Sequence, residues 1–116
     1  QAIELMRLMI VIGQAMATVM NKQGVDIGRV NYQDSGNWGV FNHKGPHLHY
    51  HIFGRAKSAV IQRYGQSLYF PHINENLLFY ENNEHLNDRD IWEIREEIEK
   101  LMKEKKYQDS RWGLSA

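Results

Sequence analysis

Three of the chain's six histidines stand at every second position of one short stretch, Gly45-Pro46-His47-Leu48-His49-Tyr50-His51-Ile52-Phe53. In an extended chain alternate side chains share a face, so His47, His49 and His51 would line one side of a strand, with Leu48, Tyr50 and Ile52 on the other. Three chemistries fit such a row. Two neighbouring imidazoles could serve as two ligands of one zinc ion. His47 and His51 would stand roughly 13 Å apart at the backbone, so a third ligand would have to come from His43, His72, His85 or an acid. A structural role suits a single strand histidine, but three in alternation give a whole face to rings that titrate near neutrality. The third chemistry is covalent catalysis. A neutral imidazole attacks phosphorus and can carry the intermediate, provided that its other nitrogen is held to a carbonyl that fixes the tautomer. A strand keeps such rings at set spacing.

The elements that must position this row follow from the surrounding pattern. Residues 2–23 are apolar nearly all round and predict a largely buried helix, with Gly24 as its left-handed C-terminal cap. Residues 25–32 (VDIGRVNY) predict a strand, its register open around Gly28. Residues 33–39 (QDSGNWG) carry turn chemistry, and the loop is expected to run to Pro46, which lacks an amide hydrogen and marks the start of the next strand. His47 to Phe53 is then that strand, its apolar face packed on the long helix. Residues 57–116 read as a C-terminal extension. Within it, Leu77 to Tyr80 anchor a turn-rich stretch, and a helix is expected over about 88–106. Asn87 and Asp90 form an acidic capping box there, and Ile91, Ile94, Ile98 and Leu101 a stripe at helical spacing. The tail from Gln108 is ordered only if Trp112 docks. The whole is a single α+β domain over 1–116: a small antiparallel sheet against a long apolar helix, plus a C-terminal helix.

Composition narrows the classes. At 116 residues with 42% apolar content, the chain suffices for one domain with a core of its own. Lys plus Arg equals Asp plus Glu, 14 against 14, so bulk charge draws it to neither nucleic acid nor anionic membrane. It has no cysteine. Disulfides, thiolate nucleophiles and cysteine-bound zinc are thereby excluded, and an intracellular, cytoplasmic location fits. The apolar run Ile3 to Met20 lacks a basic leader and a cleavage site. It is short for a membrane span, so it reads as a core helix. The chain opens directly into this helix and is expected to lack an N-terminal piece of its parent protein. No Gly-Lys-Ser/Thr follows Gly36 or Gly39, so a P-loop is ruled out.

His47-Leu48-His49-Tyr50-His51-Ile52-Phe53 resembles the signature of the histidine triad superfamily of nucleotide hydrolases and transferases: three alternating histidines followed by two apolar residues. The resemblance covers at least residues 1 to about 56. It implies attack on the α-phosphate of a nucleoside monophosphate conjugate and a nucleotidyl-histidine that water or another acceptor resolves. By the same resemblance His49 is the nucleophile, His51 sits by the phosphate and leaving oxygen, and His47 orients the constellation. Asn31, ending the preceding strand, matches the family's phosphate-side asparagine. The family's Gly-Gln-Ser or Gly-Gln-Thr is replaced here by Asn42-His43-Lys44-Gly45, where His43 and Lys44 would supply the phosphate contacts. The loop before the triad is longer than the family's, and its first strands and helix have no counterpart. No cofactor is required, though a divalent metal ion could arrive with the substrate. A homodimer is implied, with no nucleic-acid or membrane partner. Two alternatives stand beside the enzyme: a non-catalytic nucleotide-binding or interaction protein that keeps the triad, and a zinc-binding protein. Arg55 would touch phosphate or pair with an acid, Trp38 would stack on a base or anchor its loop, and His72 would close over the site or lie at the surface.

Overall fold

A computed structural model describes residues 1–34, 41, 43, 45, 47–72, 74–81 and 84–114. The order is α1 (Ala2–Lys22), β1 (Ile27–Asp34), β2 (Tyr50–Ala56), α2 (Leu77–Glu81) and α3 (Asp88–Met102), with single 3-10 turns at Lys105–Tyr107 and Asp109–Arg111. β1 and β2 pair antiparallel. This is the expected α+β arrangement of a small antiparallel sheet, a long apolar helix and a C-terminal helix.

α1 stops where a left-handed residue becomes available. Gly24 has φ +93°, and the amides of Gly24 and Val25 return to the carbonyls of Asn21 and Met20 at 3.1 and 3.0 Å. That is a Schellman closure, which satisfies carbonyls the helix end would leave bare. It consumes Val25, so the strand begins at Ile27 rather than at 25. At the other end Gln33 and Asp34 join the ladder opposite His51 and Tyr50, where turn chemistry had predicted a loop. The register slips between Ile27 and Arg29, leaving Gly28 as the extra residue of a bulge. A side chain at Gly28 would meet the Lys57 stem at 2.7 Å and the Tyr64 ring at 3.0 Å.

The second strand is displaced from the expected 47–53. Its ladder runs Tyr50 to Ala56, because β1 ends at Asp34, the partner of Tyr50. His47 to His49 therefore lie beyond the last rung. The far end of the hairpin is pinned by Asp26, whose carboxylate accepts from the Ser58 hydroxyl at 2.7 Å and amide at 3.2 Å. These bonds hold the Asp26 carboxyl below its ordinary range.

Val11, Ala15 and Val19 of α1 meet Ile94 and Leu101 of α3 and Tyr107 in the buried core. α3 starts on the expected box: Asn87 Oδ1 accepts from the Asp90 amide at 3.0 Å, and Asp90 Oδ2 from the Asn87 amide at 2.9 Å. It ends at Met102 and not near 106, the chain tightening into 3-10 turns. Arg7 holds those turns on α1 through the Tyr107 carbonyl (2.9 Å) and Asp109 (2.6 Å). Trp112 docks, donating to the Lys106 carbonyl at 2.9 Å and stacking on Tyr107. α2 is a short helix that periodicity missed, capped by Asn76 on the Phe79 amide at 3.1 Å. On the helices two burial expectations fail. Ile91 is exposed on the first turn of α3, and the N-terminal part of α1 leaves Ile3, Leu5, Met6 and Leu8 exposed, because α3 and the sheet cover one stripe of it. By length and composition alone α1 would also suffice to cross a membrane.

The sheet lies on α1 through two glycines. A Cβ on Gly13 would stand 2.1 Å from the Tyr32 hydroxyl, and one on Gly54 3.4 Å from Met16. Tyr32 and Gly54 therefore face the helix, and partial burial raises the Tyr32 pKa. For Gly13→Ala, helix propensity favours alanine by about 1 kcal/mol, while overpacking costs about 1–3 kcal/mol. We expect a net loss of about 1 kcal/mol in urea unfolding, set by that difference. In a Tyr32→Ala background the same change should stabilise, giving a clear coupling energy in the double-mutant cycle.

Candidate functional site

With Gly54 against α1, strand alternation turns the odd-numbered residues of β2 to the opposite, outer face. His51, Phe53 and Arg55 lie there, opposite Gln33, Asn31 and Arg29 on β1. The row continues past the ladder: ring centroids of His47 and His49 are 5.0 Å apart, those of His49 and His51 4.9 Å. The three histidines thus share one face as their spacing predicts, although only His51 is on a ladder rung. Of the residues behind them, Ile52 is half-buried, but Leu48 and Tyr50 are exposed, lying at or past the end of the ladder.

His49 is the best held of the three. Its Nδ1 lies 3.0 Å from the carbonyl oxygen of His47. A carbonyl can only accept, so Nδ1 carries the hydrogen in this bond, and the lone pair of the neutral ring is on Nε2. His51 meets His49 edge-on at 71° and lies flat on Phe53, at 5.7 Å and 8°. Phe53 in turn rests on Phe70 at 5.3 Å. Stacked aromatic pairs contribute about 0.5–1.5 kcal/mol beyond their buried area, enough to narrow the orientations open to an exposed imidazole.

The remaining candidates are placed as follows. Asn31 sits opposite Phe53 and accepts at Oδ1 from Arg55 Nη1 at 2.8 Å, leaving its amide hydrogens free of that bond. His43 is exposed in a turn. Lys44, Pro46, Trp38 and the glycines at 36 and 39 lie outside the described residues. His72 is at the surface, its Nδ1 accepting from the Asn74 amide at 3.2 Å. Arg55 pairs with no acid among the described residues. It is buried, donating also to the carbonyls of Arg63 and Gln66 at 3.0 and 2.8 Å, and so folds the 57–70 segment onto the sheet. Among the described residues no three His, Asp or Glu are grouped to hold a metal ion.

Sequence reasoning missed the Phe53–Phe70 buttress. Phe53 was within reach, because it continues the alternation His-x-His-x-His-x-Phe; nothing local marks Phe70. Comparison with protein-family models, with curated proteins and with solved structures returns no match.

Replacing Phe53 by Leu keeps apolar volume and removes the flat ring under His51. We expect the folded chain to persist, with the Hε1 and Hδ2 resonances of His51 losing their ring-current shift in proton NMR while those of His47 stay in place.

Proposed function

We propose that the chain is a nucleotide hydrolase or transferase that attacks the α-phosphate of a nucleoside monophosphate conjugate through His49. The observation that carries this reading is the 3.0 Å contact from His49 Nδ1 to the His47 carbonyl, with one imidazole on either side. It supports a ring whose Nε2 lone pair is fixed in direction and needs no base to free it. The resemblance of the His47–Phe53 stretch to the histidine triad signature supports the same assignment.

In this reading Nε2 of His49 attacks phosphorus. A P–N bond forms, and the bond from phosphorus to the leaving oxygen or nitrogen breaks. The leaving atom takes a proton from His51, the neighbouring imidazole. Nδ1 stays on the His47 carbonyl throughout, so the positive charge that builds on the His49 ring has an acceptor waiting. In the second half water attacks phosphorus, gives its proton to His51 and releases the nucleoside monophosphate, and the P–N electron pair returns to Nε2. An acceptor alcohol or amine in place of water makes the same cycle a transfer. Asn31, from the opposite strand, and His43 and Lys44, from the preceding loop, are assigned to the phosphates. The step requires no resident metal. The same reading takes the protein as a homodimer, for which the exposed apolar end of α1 is available.

The test is AMP release from an adenosine phosphoramidate and, separately, from a diadenosine polyphosphate. We expect wild-type turnover with at least one of them. His49→Ala should fall to background, and His51→Gln should lose about 10²–10⁴-fold in kcat, the usual contribution of a positioned proton donor. Turnover that survives His49→Ala would refute the assignment.

A further inference from the structure

The outer face of the sheet carries a second polar constellation, four residues along β2 from His51. Arg55 is 6% exposed, yet its guanidinium faces only neutral acceptors: Asn31 Oδ1 and the carbonyls of Arg63 and Gln66. Its Nε is buried without a hydrogen-bond partner among the described residues. Directly across the ladder stands Arg29, a second cation where like charges repel. All 14 side-chain carboxylates of the chain lie among the described residues, and none of them forms an ion pair with Arg29 or Arg55. A buried charge without a counter-charge is costly, and Arg55 is such a charge with a second, exposed cation facing it.

Arg29 and Arg55, together with Asn31, Tyr64, Gly65 and Gln66, line a cleft of about 330 Å³. The Tyr64 wall exists because Gly28 has no side chain: a Cβ there would press on the ring at 3.0 Å. Holding the 57–70 segment explains the two Nη groups of Arg55. It leaves unexplained the orphan Nε, the facing Arg29 and the walled space between. We propose that this cleft is an anion site that takes a phosphate group, separate from the histidine row. The exposed guanidinium fork of Arg29 matches phosphate oxygens, and Arg55, its Nη groups holding Asn31 and the loop, adds a second positive charge to the wall. Along the strand the cleft lies roughly 13 Å from His51 at the backbone. The phosphate is either a free ion or a group of a nucleotide. The inference stands independently of the role given to His49.

The test is NMR titration of the ¹⁵N-labelled full chain with inorganic phosphate, pyrophosphate and ATP at constant ionic strength. Arg29 is the residue to change, because it is exposed and Arg55 supports the loop. We expect saturable shifts at the amides of Arg29, Asn31, Gly65 and Gln66, unchanged in His49→Ala. In Arg29→Gln binding should be weaker by about tenfold or more, the loss typical of a charged hydrogen bond. Saturation by inorganic phosphate or pyrophosphate would assign a free-ion site; saturation by ATP alone would assign a nucleotide's phosphate. Absence of saturable shifts with all three ligands, or equal affinity in wild type and Arg29→Gln, would overturn the proposal.

Discussion

One hydrogen bond organises the histidine face, that between His49 Nδ1–H and the carbonyl of His47. The acceptor belongs to the backbone two residues earlier, so the bond ties the His49 ring to the course of its own chain through His47 and Leu48. There the ladder has already ended, at Asp34 and Tyr50. The bond fixes the His49 ring between its two neighbouring imidazoles and leaves the lone pair of the neutral ring on Nε2. An imidazole free to exchange tautomers would present Nε2 as a nucleophile for only part of the time.

The outer face depends in turn on how closely the sheet approaches α1. Tyr32 packs on Gly13 and Met16 on Gly54, so the inner face of β1 and β2 is set by two absent side chains. Asp26 and Ser58 tie the far end of the hairpin. Arg55 folds the next segment back over the outer face, and that segment leads to Phe70, which supports Phe53 under His51. A charged side chain, buried on the same strand, thus links the cationic cleft and the histidine row by position, each with its own polar partners.

Much of this was legible in the residues because it depends on local rules. Gly24 and the Asn87–Asp90 box each specify backbone geometry within a few positions and are found where they were expected; the alternation from His47 to Phe53 foretold the grouping of the three imidazoles but not the bounds of the strand. The failures have a common physical character: they depend on partners distant in the chain. The strand runs to Ala56 because the bulge at Gly28 and the length of β1 set the register. The end of α1 is exposed because nothing in its own apolar pattern says how far α3 extends along it. α3 ends at Met102 because Arg7, Trp112 and Tyr107 draw the following residues into 3-10 turns against α1. At the site, the rings of His47, His49 and His51 could be foreseen as a set. Phe70 could not, since its contact with Phe53 crosses seventeen positions without a local signal. Arg55 was visible as a candidate, but whether it met an acid or neutral acceptors was decided by the 57–70 segment.

The measurement that tests the central claim most directly is the tautomer of His49, read by long-range ¹H–¹⁵N correlation NMR of the neutral imidazole, with His49→Gln used to assign it. The account predicts a protonated Nδ1 and a bare, pyridine-type Nε2 on His49. A His49 ring protonated on Nε2, or averaging between the two tautomers, would contradict it, because the lone pair assigned to phosphorus would then be occupied or undirected.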